Sequence, residues 1–259
     1  MDPTPSTPRA STAGPDAPGH STPGGRTEHQ PYDGRALTGG PTQTRELDEV
    51  VIRKLSVGPM DNNAYLVTCR ASGSQVLVDA AAEPDRLLQL VREGSGAARL
   101  ATVVTTHRHA DHTGALASIL AVTGAEAVAG QEDADALPVP GVRPLRHGEV
   151  LPVGHLTLEV IGLRGHTPGS IALAYREPAR TRRVGTVPGR VHLLTGDSLF
   201  PGGPGKTADA EAFDSLMTDL VERVFDRFDD QTWVYPGHGA DTWLGAERPH
   251  LASWWSRGW

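Results

Sequence analysis

The segment that most constrains this chain is a short apolar run, Ala101-Thr102-Val103-Val104-Thr105, that leads straight into Thr106-His107-Arg108-His109-Ala110-Asp111-His112-Thr113-Gly114. Four side chains able to bind a metal fall within six positions, and three of the 11 histidines share that window. Chance placement in a surface loop does not concentrate them so. Alternate residues of an extended segment project to one side, so His107 and His109 can face a single ion, and a turn into a following helix re-aims Asp111 and His112. One motif can thereby serve two metals.

Three later segments each put a ligand-type residue in a turn after a β-like or apolar run: Gly165-His166-Thr167-Pro168-Gly169-Ser170, Thr195-Gly196-Asp197-Ser198 and Pro236-Gly237-His238-Gly239. Singly, each reads as well as a plain turn. Around them the pattern is short strands alternating with helices. Strands are expected at 50–57, 64–69, 76–79, 101–105, 156–161, 171–175, 191–195 and 232–235. Helices are expected at 84–92, 113–122 and 210–227, the last with Phe213, Leu216, Leu220, Val224 and Phe228 on one stripe. Sheets covered by helices make the fold class α/β or α+β.

Residues 1–45 hold 8 of the 21 prolines among Ser, Thr, Gly and Ala, too little apolar surface to offset the entropy of ordering, so they are expected to form a disordered tail ahead of one domain at 46–259. The net charge of −7 is spread without a basic run, which argues against nucleic acid or an anionic membrane as partner. A single cysteine, Cys69, builds neither an internal disulfide nor a multi-thiolate metal site, and is expected in the core. With no long apolar stretch and no leader-like N-terminus, a soluble cytoplasmic protein is expected.

Taken in order, His107-x-His109-x-Asp111-His112, Gly-His166-Thr-Pro-Gly, Gly-Asp197-Ser-Leu-Phe and Gly-His238-Gly resemble the metallo-β-lactamase-fold hydrolase superfamily, and within it hydroxyacylglutathione hydrolase (glyoxalase II) and its bacterial relatives. The likeness spans roughly residues 48–245. It implies a four-layer αββα sandwich of two mixed sheets with a metal site along one edge. Carried over by position, one ion takes His107, His109 and His166, the other Asp111, His112 and His238, and Asp197 bridges them. Asp111 and Asp197 are then the catalytic carboxylates. The implied cofactor is a pair of divalent ions, zinc by default with Fe²⁺ or Mn²⁺ as alternatives, since ligand type does not choose among them. The implied reaction is attack of a metal-activated water on a thioester of a small thiol, with no side-chain nucleophile.

Asp79, which ends the run Val76-Leu77-Val78, resembles a carboxylate that orients a ligand from behind, or serves a turn or cap. Gly202-Gly203-Pro204-Gly205-Lys206-Thr207 is no phosphate-binding loop, because Phe200 replaces the first glycine and Pro201 and Pro204 interrupt it. Lys206 resembles instead the lysine that grips the carrier in glyoxalase II, or is a solvated loop lysine. The family's helical glutathione-gripping extension has little counterpart in the 21 residues after His238, which turns attention to other small thiols. His20, His29, His147, His155, His192 and His250 fit no ligand position, and Trp254, Trp255 and Trp259 are expected to pack on the core. Alternatives are a mononuclear Fe(II) persulfide dioxygenase held by His107, His166 and Asp197, and a lactonase. A non-catalytic metal-binding member is disfavoured because none of the seven positions is vacant.

Overall fold

The structure, a computed structural model, describes residues 32–96 and 99–258, so most of the expected tail, together with His20, His29 and Trp259, lies outside the described residues. A seven-stranded sheet runs in sequence order: β1 (Gln43–Glu46), β2 (Val50–Val57), β3 (Asn62–Cys69), β4 (Gln75–Val78), β5 (Leu100–Thr105), β6 (Glu126–Gly130) and β7 (Arg143–Leu145). Pairing is antiparallel up to β4 and parallel from β4 to β7. Parallel neighbours need crossovers. They are supplied by α1 (Pro84–Gly94), α2 (Leu116–Thr123) and the single turn α3 (Gln131–Ala134). In α1, Pro84 opens the helix where its missing N–H is harmless, and Leu87, Leu90 and Val91 form the buried stripe.

The second sheet begins with the meander β8 (Val150–Val153), β9 (Leu156–Gly162), β10 (Ile171–Arg176) and β11 (Val191–Gly196). A two-stranded ribbon, β12 (Leu199–Phe200) and β13 (Gly203–Pro204), and α4 (Ala210–Leu220) follow. The chain then returns as β14 (Trp233–Pro236), parallel to β11, and β15 (Thr242–Trp243). The Asp209 carboxylate caps α4 by accepting from Ala212 N–H at 2.9 Å. Two short C-terminal helices, α5 (Leu244–Glu247) and α6 (Leu251–Arg257), close the chain, with Trp254 buried and Trp255 partly exposed.

Period-two alternation builds four layers from these elements. Val50 and Ile52, Tyr65 and Val67, and Val76 and Val78 face inward against Leu173, Tyr175, Leu194 and Tyr235 of the other sheet. The opposite parity, Leu55 and Val57, Leu66, Leu77 and Val103, packs beneath α1 and α2. Ala172, Ala174, Leu193 and Val234 likewise pack beneath α4 and Trp254. The αββα sandwich expected from the motifs is therefore present, with Cys69 in the layer between the sheets.

The structure differs from the sequence expectation in several places. The last three residues of the expected tail, Gln43 to Arg45, join Glu46 in an edge strand on β2, because a short polar segment can pair its backbone without burying a side-chain face. The helix expected at 113–122 starts later: a 3₁₀ turn at Ala110–His112 precedes it and α2 begins only at Leu116. The stripe expected at 210–227 is buried as read, but the α-helix ends at Leu220 and continues as a π turn through Phe225. Strands β6, β7 and β8 were not expected: Ala-Val-Ala is a weak strand signal in β6, and Pro144 and Pro152 are tolerated because β7 and β8 are edge strands.

His192 of β11 follows the inward parity and is fully buried, with Nδ1 accepting from the Tyr235 hydroxyl (2.8 Å) and Nε2 donating to Glu177 (2.9 Å). Burial, only partly offset by Glu177, pulls its pKa down to about 4. An unfolded chain protonates this imidazole first, so its contribution is intact above pH 6.5 and is lost as pH falls toward 4, a change of roughly 3 kcal/mol. Urea unfolding of the metal-free protein at pH 7 and pH 4.5 is expected to show this acid loss, and His192→Gln is expected to flatten it.

Candidate metal centre

All seven sequence-selected donors lie at one edge of the sandwich, beyond the carboxyl ends of four strands. The His107 to His112 motif follows β5, His166 lies in the loop after β9, Asp197 follows β11, and His238 follows β14. The first sheet thus contributes four of the seven and the second sheet three. Their donor atoms fall into three overlapping groups, His107/His109/His166, His107/His112/Asp197 and Asp111/His112/His238, each with its atoms within 4.8 Å of one another. His166 packs its ring against those of His107 and His109 at 4.7 and 4.6 Å between centroids, and His112 lies 5.0 Å from His238.

The local chain explains these directions. Thr106 ends the β5 run, and its N–H and hydroxyl both donate to Asp79, at 2.7 and 2.8 Å. Asp79 is buried directly after β4 with a left-handed backbone (φ 61°). Its Oδ2 also lies 2.9 Å from His112 Nδ1. One carboxylate therefore pins both ends of the motif. His109 is extended, and the 3₁₀ turn that follows swings Asp111 and His112 inward.

Four histidines have Nδ1 committed to an oxygen. His107 faces the Thr106 hydroxyl (3.1 Å), His112 faces Asp79, His166 donates to the Lys206 carbonyl (2.6 Å), and His238 donates to the Met60 carbonyl (2.8 Å). Acceptors at Nδ1 fix the proton there and present the Nε2 lone pairs to the common centre. Asp197 lies between the two halves: Oδ1 is 3.4 Å from His112 Nε2, and Oδ2 is 3.7 Å from His166 Nε2 and 3.3 Å from His238 Nε2. Glycines give it room. A Cβ on Gly237 would stand 2.0 Å from Asp197 Oδ1, and one on Gly205 would stand 1.7 Å from the Asp197 carbonyl oxygen.

The donor set fits divalent cations. His107 Nε2, His166 Nε2 and Asp197 Oδ1 are buried with no hydrogen-bond partner, an arrangement that is costly unless a cation takes their lone pairs. The imidazole nitrogens of His112 and His238 face each other at 3.1 Å. Burial raises the cost of charge on Asp197, but His112 and His238 outweigh it and hold the carboxyl far below its usual range. Burial also opposes a charge on His112, yet Asp79 and Asp197 prevail and push its pKa up to about 10. A cation entering there displaces a proton. His107 is driven the other way, by burial and then by His112, so it is neutral and ready to coordinate.

Two contributors escaped the sequence reading. Asn62 Nδ2 donates to Asp111 Oδ2 at 2.9 Å, aiming that carboxylate, but in the sequence Asn62 was only part of a turn signal. Buried Asp133 accepts from the Thr167 hydroxyl (2.5 Å), Gly169 N–H (3.1 Å) and Arg108 N–H (3.0 Å), tying the His166 turn to the first motif. Nothing in its sequence surroundings marks it. Lys206 is present at the centre through its backbone, whose carbonyl holds His166, while its side chain is exposed. A cleft of about 600 Å³ opens on the His109/His166 side, walled by Arg108, Arg164, Glu132 and Asp209. Asp79→Asn, which keeps the shape but weakens the grip on His112, is expected to lower metal affinity about 10- to 100-fold, measurable by chelator competition.

A family model described as the metallo-beta-lactamase superfamily matches residues 57–179. The hydroxyacylglutathione hydrolase of Rhodospirillum rubrum is 33% identical over 180 residues, covering 69% of this chain and 62% of that protein. The chain thus spans about three fifths of the length of such relatives. Among solved structures, ETHE1 from Myxococcus xanthus is 30% identical with a TM-score of 0.62, over 77% of this chain and 82% of that one. A protein solved in a di-iron-bound form is also 30% identical, with a TM-score of 0.59, over 75% of this chain and 96% of that one.

Proposed function

Because the chain belongs to the metallo-beta-lactamase superfamily, we propose that it is a dinuclear metallohydrolase acting on a thioester of a small thiol. His107, His109 and His166 hold one divalent ion, Asp111, His112 and His238 hold the other, and Asp197 is shared. The observation that carries this reading is the set of buried, unpartnered atoms on His107, His166 and Asp197 at the meeting point of seven donors. The hydroxyacylglutathione hydrolase relatives support the thioester, and the di-iron-bound neighbour supports two ions.

Such ions, when bound, supply Lewis acidity toward a carbonyl oxygen and lower the pKa of water to near neutrality. The residues of the chain do the rest. Asp197 and Asp111 stay ionised and offset half of the charge of two divalent ions, leaving a positive remainder for a developing oxyanion. Asp79 and the Lys206 and Met60 carbonyls keep three imidazoles in register, so that no reorganisation is needed during the reaction. The cleft beside His109 and His166 seats the carrier, and Lys206, exposed two residues before Ala208 of the cleft wall, is the candidate partner for a carrier carboxylate. The only thiol, Cys69, lies at the far end of β3 from Asn62, too remote to act as nucleophile. Among the described residues no helix is long and apolar enough to cross a membrane, and a small-molecule substrate met in the cytoplasm fits this reading.

A second reading, the mononuclear Fe(II) persulfide dioxygenase, is favoured by one fact: the three unpartnered atoms belong to the three residues such a site would use. Metal analysis of purified protein, joined to a panel of S-acyl thiols, acyl lactones and persulfides, separates the readings. Two ions with thioester turnover and no sulfite support the hydrolase. One iron with O₂ consumption overturns it, and turnover confined to lactones moves the substrate to cyclic esters.

A further inference from the structure

Lys54, one of only two lysines in the chain, occupies an inward position of β2, and its side chain is wholly buried between the sheets. Its ammonium donates to the Gly34 carbonyl (2.8 Å), the Gly239 carbonyl (2.7 Å) and Asp241 Oδ1 (2.6 Å), so three protons meet three acceptors. Asp241 in turn accepts from the Tyr32 hydroxyl (2.6 Å) and Trp233 Nε1 (2.8 Å). Asn63 Nδ2 donates to the Gly239 and Pro236 carbonyls, both at 2.9 Å, and Asn63 N–H donates to the Gly237 carbonyl at 2.7 Å. The turn that carries His238 is thereby held on both sides by the opposite sheet. Tyr32, Gly34, Lys54 and Asp241 all lie outside the 57–179 family match.

A buried ion pair is a poor source of net stability compared with apolar packing, so its presence here calls for a positional explanation. Gly239 has a left-handed backbone (φ 69°), and its carbonyl, held by Lys54 and Asn63, anchors the chain one residue beyond His238. An apolar residue at position 54 would leave the Gly239 carbonyl to Asn63 alone, the Gly34 carbonyl to the Asp241 N–H alone, and Asp241 Oδ1 without the ammonium that pairs its charge. We propose that Lys54 is a positioning residue for His238: with Asp241 and the 32–34 segment it forms a strap that sets the half-site of Asp111, His112 and His238. The proposal rests on the two-ion reading.

The test is a Co²⁺ titration of metal-free full-length protein with chelator competition, in wild type, Lys54→Met, Asp241→Asn and Tyr32→Phe. In folded Lys54→Met and Asp241→Asn, the second equivalent is expected to weaken tenfold or more while the first stays within twofold. Equal weakening of both equivalents, or no change in either, overturns the proposal. If those two variants do not fold, Tyr32→Phe decides: a threefold or greater weakening confined to the second equivalent supports the strap, and none overturns it. If wild type binds only one equivalent, the two-ion reading fails. Amide exchange over residues 236–240 of the metal-free protein then decides for Lys54, tenfold acceleration relative to β5 supporting the strap and equal rates overturning it.

Discussion

Replacing Asp197 with alanine is expected to reduce thioester turnover by roughly a thousandfold or more, the kinetic equivalent of several kcal/mol of lost transition-state stabilisation. Metal content should fall with it. The reason is geometric: the two oxygens of Asp197 stand within 3.3 to 3.7 Å of His112, His166 and His238, so its loss affects both halves of the centre. It also removes one of the three carboxylates around the His112 imidazole, leaving Asp79 and Asp111 beside the facing His238 ring. His155→Ala is the control, since His155 is exposed beside β9 at the opposite end of the sandwich. Wild-type turnover and full metal content in the Asp197 variant would remove the bridging assignment.

Saturation with metal is expected to raise thermal stability by a comparably large amount. A ligand present at about a thousandfold over its Kd, binding only the native state, adds about 4 kcal/mol. For a domain of this size that corresponds to a rise in Tm of roughly 8 to 16 °C. Four of the donors hang from the first sheet and three from the second, so an ion in their midst joins the two halves of the sandwich. Calorimetry with and without chelator checks the increment, and the Asp197→Ala protein should show little of it. A chelated wild type that melts at the same temperature as the loaded protein would show that the donors do not act together.

Much of this cluster was legible in the sequence because its candidate donors sit in motifs that are local. His107 to His112 lie within one turn-and-a-half of chain, and His166, Asp197 and His238 each sit beside glycine after a strand, where loops must leave the sheet edge. The strands with clear apolar runs, such as Val50–Val57 and Ile171–Arg176, were equally visible. What escaped depends on approach in three dimensions. Asn62 matters because the β2–β3 turn folds over Asp111, and Asp133 matters because β6 delivers it under the His166 turn. Neither relation leaves a periodic signal. Lys206 shows a subtler difference: its position was marked by its side chain, whereas the contact observed is made by its backbone carbonyl, which any residue there can offer.

Gly205 and Gly237 bring no donor to the centre, yet the space beside Asp197 exists only because they have no side chain. In a scan of every substitution at every site, these two should be as intolerant as the imidazoles themselves, with alanine already harmful. Residues whose contribution is emptiness would then rank among the most constrained in the protein, and a search that weighs importance by reactive chemistry alone would pass over them.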